Sequence, residues 1–289
     1  MLRRIRTRTV PSILGEAEHL YRTYGFRGLM FYDDELNVSK SMVELMDGMA
    51  DLGKRLEIEW KLRGFVKAEL FNERQAAAMY RAGFRWLLTG FESGSPRILA
   101  NINKKATRDD NTRAVQIAHA AGLKVKALMS VGHPGETEET IAETEQWLIE
   151  NKVAAFDCTV ISVFAGTPYH DYAEETAPGI WTFTAPKTGD RLMSIEGDWE
   201  LRTDYYKGQP GEYRSYVYTD ALSPERIVEL RDALERRVRE RLGIPYDTAT
   251  PGSRFEASMG QLPSSVYRRS DARRSEGKRP ERVRLGVVG

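Results

Sequence analysis

The spacing of its apolar runs constrains this chain more than any other feature. Short runs suited to strands, Leu29–Tyr32, Ile58–Arg63, Trp86–Phe91, Val125–Ser130 and Phe156–Val163, recur about every 30 residues, the length of a βαβ unit. Helical periodicity fills the gaps. A first helix precedes the strands, with Ile13, Ala17, Leu20, Tyr21 and Tyr24 on one face, Ser12 as its cap and Gly25 as its stop. Met42, Leu45, Met46, Met49 and Leu52 mark a second helix behind a Ser39 cap. Asn72 to Ala82 carries a capping-box pattern through Gln75 and stops at Gly83. Pro96–Ile102, Asp109–Ala121 and Glu138–Asn151 complete the series. Right-handed crossovers make such strands parallel. The expected class is therefore α/β, either an open doubly wound sheet or a curved, barrel-like one. In both, ligands gather at the carboxyl ends of the strands.

Beyond Val163 the pattern changes. Residues 164–221 are rich in aromatic side chains, Trp181 and Trp199 among them, interspersed with Gly and Pro. Leu192–Glu196 and Tyr213–Thr219 read as an antiparallel ribbon over the mouth of the sheet. Ser223-Pro224 opens a helix that runs through Leu242, with Gly243 after it. From Tyr246 the composition is Gly, Ser, Pro and Arg with little periodicity, which reads as a disordered basic tail. The expected organisation is a βα core over 1–163, an aromatic-rich cover with a C-terminal helix over 164–245, and a tail over 246–289.

Several classes of function are excluded on composition. A single cysteine, Cys158, leaves no intramolecular disulfide, no all-cysteine zinc site and no self-contained iron–sulfur site. His19, His119, His133 and His170 do not cluster at metal-ligand spacing, so no metal site is expected. No apolar run approaches ~18 residues and no apolar signal segment follows the opening basic residues, so no membrane contact and a cytoplasmic location are expected. The net charge of +1 conceals two basic ends, Arg3, Arg4, Arg6 and Arg8 at one and eight basic residues against three acids over 268–284 at the other. The body between them is acidic, unlike a nucleic-acid groove. Phosphate-binding Walker loops, Rossmann glycines and nucleophile elbows are all missing.

The strand ends carry the chemistry. Asp33-Asp34-Glu35 closes the first strand, where adjacent acids hold a cation, an ammonium or ribose hydroxyls, or simply cap and solvate the helix entry. Arg63-Gly64 closes the second, able to meet a carboxylate or to pair on the surface. Glu92 ends the third inside apolar sequence, costly to bury without a partner, and Ser93-Gly94-Ser95 either lets a ligand approach the backbone or caps the next helix. The fourth runs into Gly132-His133-Pro134-Gly135-Glu136-Thr137, a tight turn at a helix N-terminus where N–H groups point outward. Cys158, inside a strand, reads as a small core residue.

Taken in order, Phe31-Tyr32-Asp33-Asp34-Glu35-Leu36, Gly90-Phe91-Glu92-Ser93-Gly94-Ser95, Asn103-Lys104-Lys105-Ala106-Thr107 and Gly132-His133-Pro134-Gly135-Glu136-Thr137 resemble the radical S-adenosylmethionine (radical SAM) superfamily. The resemblance covers about residues 5–170 and is nearest to the group often fused to a cobalamin-binding domain. It implies a partial (βα) barrel, and S-adenosylmethionine (SAM) cleaved by a 4Fe–4S cluster for radical or methyl-transfer chemistry. It places Asp33 and Asp34 at the SAM amino group, Glu92, Ser93 and Gly94 along its methionine and ribose, and His133, Pro134 and Gly135 beside the adenine. No catalytic residue is assigned. The family's Cys-x3-Cys-x2-Cys loop and first strand have no counterpart here, so the expectation is of five strands out of six, an N-terminally incomplete core inactive alone, with cobalamin available only through an upstream domain. The first strand would then be a bare apolar edge, open to self-association or to a missing N-terminal segment. Two other readings remain open: a cluster-free SAM-binding or scaffold protein, and a βα-barrel enzyme acting on a small phosphorylated or carboxylated substrate. The substrate itself is not legible.

Overall fold

The computed structural model describes residues 7–197 and 214–245. Its first half runs α1 (Val10–Tyr24), β1 (Gly28–Met30), α2 (Met42–Leu56), β2 (Lys61–Arg63), α3 (Glu73–Ala82), β3 (Trp86–Glu92), α4 (Pro96–Asn101) and α5 (Arg108–Ala120). The second half follows with β4 (Lys124–Val131), α6 (Glu138–Glu150), β5 (Ala155–Val160), α7 (Pro168–Asp171), β6 (Glu174–Ala177), β7 (Ile180–Thr184), β8 (Arg191–Ile195), β9 (Val217–Tyr218) and α8 (Pro224–Leu242). All five expected strands and the alternation of helices between them are present. The described chain divides into two compact units, one of residues 7–89 and 116–126, the other of 90–115, 127–197 and 214–245.

In the first unit β1 and β2 pair in parallel, Leu29 opposite Leu62, and isolated parallel bridges Leu62–Phe84 and Phe65–Leu88 continue the alignment toward β3. Helix α2 buries the face its spacing predicts, Met42, Leu45, Met46, Met49 and Leu52, within a core that includes Trp60, Leu62, Met79 and Phe84. The expected strand over 29–32 is shorter: the Phe31 amide still bonds the Arg63 carbonyl at 3.0 Å, but Tyr32 is exposed. Among the described residues β2 is the one neighbour of β1.

Three expected caps are corrected. Thr9 occupies the N-cap of α1 with Pro11 in its first turn, so Ser12 lies inside the helix and receives the Arg8 guanidinium. Helix α2 starts after Ser41, because Leu36–Val38 forms a 3-10 turn that ends at Ser39. Asn72 does cap α3, accepting from the Gln75 amide at 3.0 Å, but the Gln75 side-chain carbonyl is buried without a partner, so the reciprocal half of the box is open.

In the second unit β5 follows β4 in the sheet order β3-β4-β5. Helices α6 and α8 lie against each other, and the buried Arg231 of α8 donates to the Cys158 carbonyl on β5 at 2.7 Å. Cys158 is core, as expected, and burial pushes its thiol up to about 12. The expected ribbon forms, with Met193 opposite Tyr218 and Ser194 opposite Val217, and it is wider than the pattern showed: β6 and β7 extend it to a four-stranded antiparallel sheet. Val217 of that sheet and Val160, the last residue of β5, both lie against Gly132 at the end of β4. Helix α8 has the expected ends, with Ser223 accepting from the Arg226 amide and Gly243 in the left-handed conformation. The basic tail over 246–289, Trp199 and Tyr213 lie outside the described residues.

Candidate functional site

Within the second unit the ends of β3 and β4 meet. Glu92 closes β3 with φ +66, left-handed backbone that a non-glycine residue adopts at a cost of order 1 kcal/mol. The Ser93 amide, bonded to the Phe91 carbonyl at 2.8 Å, holds this bend. It turns the Glu92 carboxylate toward Lys104, whose ammonium donates to Oε1 at 3.1 Å and to the Gly90 carbonyl at 2.6 Å. Ser130, on β4, donates to Oε2 at 2.8 Å. Burial raises the Glu92 carboxyl, but the Lys104 charge and the Ser130 hydroxyl outweigh it, so the group sits below the usual carboxylate range and is ionised at neutral pH. The pair is not sealed: the Lys104 and Glu92 side chains keep 21% and 33% of their exposure.

His133 follows β4 with its ring buried. Nε2 lies 2.8 Å from Ser130 Oγ and Nδ1 3.2 Å from the Tyr169 hydroxyl on α7. Burial lowers it to about 4, so the imidazole is neutral at pH 7. The turn that follows is held from outside: Asn101 donates to the Pro134 carbonyl at 2.8 Å and to Asp190 at 2.7 Å, and Arg97 donates to Asp190 at 3.0 Å. Gly135, at φ +77, stands where a side chain would overlap that same Asp190 carboxylate.

Of the residues singled out by sequence, Glu92 and His133 share one network, and Pro134 and Gly135 shape the turn beside it. Ser93 and Gly94 face α6. The Ser93 hydroxyl pairs with the Thr144 hydroxyl at 3.0 Å, the Gly94 amide donates to the Thr144 hydroxyl at 3.0 Å, and a Cβ at Gly94 would lie 2.6 Å from Trp147 Cβ. Close helix packing requires that glycine. Asp33 and Asp34 belong to the first unit, exposed in the loop after β1. Sequence reasoning missed Lys104, Ser130 and Tyr169 as site residues. Lys104 sits inside one of the four motifs, and a buried-strand glutamate calls for a cation; nothing local marks the other two.

Glu136, in the same turn, is buried with its carboxyl taking the Gly132 amide at 3.1 Å and the Thr140 hydroxyl. Burial raises it from 4.5 to about 7. Folding therefore takes up a proton there, and stability falls as pH rises from 4.5 to 7, by about 3 kcal/mol when complete. His133 works the other way: lowered from 6.5 to about 4, its contribution is full above 6.5 and is lost as pH falls toward 4. The slopes oppose each other in the overlap. Glu136→Gln is expected to be more stable than the parent above neutrality, and to gain stability with pH between 4.5 and 6.5 where the parent changes little; urea midpoints across that range check it.

Among the described residues no group of three or more His, Cys, Asp or Glu side chains is placed to hold a metal ion, and no helix is long and apolar enough to cross a membrane.

A family model described as the radical SAM superfamily matches residues 1–148. Similar curated proteins include an uncharacterized methyltransferase of Pyrococcus horikoshii, 29% identical over 172 residues, covering 59% of this chain and 37% of the relative. Another is the bacteriochlorophyllide d C-12(1)-methyltransferase of Chlorobaculum tepidum, 24% identical over 216 residues, covering 70% of this chain and 46% of the relative. The chain thus spans less than half the length of either relative. Among solved structures, the radical S-adenosylmethionine methyltransferase TsrM of Kitasatospora setae, with cobalamin and a [4Fe-4S] cluster bound, aligns with TM-score 0.54 at 19% identity, over 84% of this chain and 48% of that one. At that identity the likeness establishes the fold, an α/β partial (βα) barrel.

Proposed function

This chain belongs to the radical SAM superfamily, and on that premise we propose that it holds S-adenosylmethionine at the carboxyl ends of its strands, through Glu92 and Lys104. The observation that carries the reading is the charged pair itself, an ionised carboxylate and an ammonium 3.1 Å apart, oriented by Ser130 and still open to solvent. A carboxylate with free lone pairs accepts from vicinal ribose hydroxyls or an ammonium, and a lysine with a free N–H reaches a carboxylate. SAM carries all of these groups. By correspondence with the family, Ser93 and Gly94 line its methionine and ribose, and His133, Pro134 and Gly135 border its adenine; Asp33 and Asp34, which the same correspondence matches to its amino group, belong to the other unit.

When bound, SAM supplies an activated methyl group and a 5′-deoxyadenosyl group on one sulfonium. The residues of this chain do not fit the family's iron–sulfur cluster: thiolates hold such clusters, and the one cysteine is buried on β5 with its thiol raised. In this reading the polypeptide binds SAM but performs no radical chemistry alone. The relatives' names favour methyl transfer as the reaction of the complete machinery, with cluster and cobalamin supplied outside these 289 residues. A small-molecule substrate, no nucleic-acid or membrane partner and a cytoplasmic location complete the proposal, the last supported by the lone cysteine.

The β1 edge is where a further strand would join, from another segment or a second copy. Its support is the single neighbour of β1 among the described residues and the exposed Tyr24, Phe26 and Tyr32 that flank it. The phosphate-binding alternative is weaker. The capping box at the start of α6 occupies the Thr137 and Thr140 amides, and the buried Glu136 carboxyl takes the Gly132 amide.

Calorimetry with SAM on the purified chain, with and without anaerobic iron–sulfide reconstitution, tests the reading. The expected result is SAM binding in both arms with no brown cluster absorbance. Failure to bind in either arm overturns the SAM site; a cluster-loaded protein overturns the assignment of the cluster to another segment.

A further inference from the structure

We propose that Tyr169 is a positioning residue for the Glu92 carboxylate, acting through His133 and Ser130. Its role in SAM affinity rests on the reading above; its role in orienting Glu92 does not.

Tyr169, His133, Ser130 and Glu92 form a hydrogen-bonded chain with successive separations of 3.2, 2.8 and 2.8 Å, and the protons available to it are countable. Glu92 is ionised and can only accept. The single proton of Ser130 is therefore committed to Oε2. Ser130 then accepts from His133, so Nε2 carries the ring's proton. A neutral imidazole has one N–H, which leaves Nδ1 bare, and the Tyr169 hydroxyl fills it. Burial raises the Tyr169 phenol above its ordinary value, so it keeps its proton and acts as donor. Every hydrogen bond in the chain points toward Glu92, and Tyr169 starts the series.

Without that hydroxyl Nδ1 loses its donor, and the Nε2–H tautomer keeps only one of the two hydrogen bonds that favour it, the one to Ser130. The other tautomer presents a bare Nε2 to Ser130, which would then donate to the ring and release Glu92 Oε2. A change of one hydrogen-bond partner on α7 thus alters the donor at the carboxylate three residues along the chain of contacts. The position of Tyr169 is itself secured by packing: its ring meets Phe183 of β7 at 4.9 Å between centroids and the edge of His133 at 6.2 Å. The hydroxyl and the ring can therefore be tested apart.

The test uses the full chain, 15N-labelled at histidine, and reads the His133 tautomer by NMR beside SAM affinity by calorimetry. Tyr169→Phe keeps the ring and removes the donor. The expected result is a shift of His133 toward the Nδ1–H tautomer and about fivefold weaker SAM binding. Phe183→Leu, which loosens the ring but keeps the hydroxyl, is expected to leave the tautomer unchanged. Ser130→Ala breaks the chain at its middle, and adding Tyr169→Phe to it is expected to weaken binding no further. An unchanged tautomer in Tyr169→Phe overturns the proposal, as does an additive loss in the double variant. Should the parent bind no SAM, the SAM reading fails, while a tautomer shift on losing the hydroxyl still supports the orientation of Glu92. If Tyr169→Phe does not fold, Ser130→Ala alone decides: unchanged SAM affinity there overturns the proposal.

Discussion

Exchange of Lys104 for methionine is expected to cost the chain its SAM binding and part of its stability together. Among the described residues the ammonium is the one cation hydrogen-bonded to the Glu92 carboxylate, and it also ties the Gly90 carbonyl. Removing one member of a buried pair costs ~3–5 kcal/mol because the other charge is stranded. Partial exposure of both groups moderates this, and a loss of about 2 kcal/mol is the expected scale, equivalent to roughly 30-fold where the pair contacts a ligand. Burial, no longer opposed by the lysine, then dominates the carboxyl. In the parent, Glu92 contributes stability that is present above the usual carboxylate range and is lost as pH falls through its lowered folded value. In Lys104→Met the carboxyl rises instead, so the sign reverses and stability falls as pH increases. A second exchange, Glu92→Gln on top of Lys104→Met, removes the stranded charge; it is expected to restore the urea midpoint but not SAM binding. Recovery of both would mean that the pair serves the fold alone.

Gly83→Ala is expected to be the most damaging single methyl group in the first unit. Gly83 ends α3 at φ +115, outside the space open to side-chain-bearing residues, and a Cβ there would overlap the Trp60 carbonyl oxygen and sit 3.0 Å from its carbon. Neither neighbour yields easily, because Trp60 is buried and leads directly into β2. Backbone strain and overlap together are expected to remove about 3–5 kcal/mol, a large part of the ~5–15 kcal/mol that holds a typical domain. Gly15→Ala supplies the contrast. It lies within α1 with nothing within 4 Å of its Cβ position, so the same exchange there is expected to stabilise by about 0.5–1 kcal/mol. Urea midpoints of the two variants, moving in opposite directions, check the pair of expectations; similar shifts would contradict the placement of Gly83.

Much of the architecture was legible because its determinants are local. The 3.6-residue spacing along Met42 to Leu52, the Asn72 cap and the Gly83 and Gly243 stops act within a few residues, and the structure places them where the pattern does. Where local signals compete, their neighbours decide: Ser39 could cap α2 from sequence, but it closes a 3-10 turn and the helix starts after Ser41. The strands β6 and β7 are not legible in the sequence, because short hairpin strands with Gly and Pro between them carry little period-two pattern. At the site, Glu92 and His133 were identifiable as polar residues ending apolar strands.

The βα order, the parallel arrangement and the line of polar residues at the strand ends follow from sequence alone, since periodicity and crossover handedness act on neighbours along the chain. The partners of those residues do not. Lys104 reaches Glu92 across 12 positions, Ser130 across 38, and Tyr169 reaches His133 across 36. Contacts of that length exist only once the strands are aligned and the α7 segment is packed on β7. Which way the protons point, and whether a carboxyl taken largely out of water is ionised like Glu92 or holds its proton toward neutrality like Glu136, depends on the charges and donors that folding brings within hydrogen-bond reach of it.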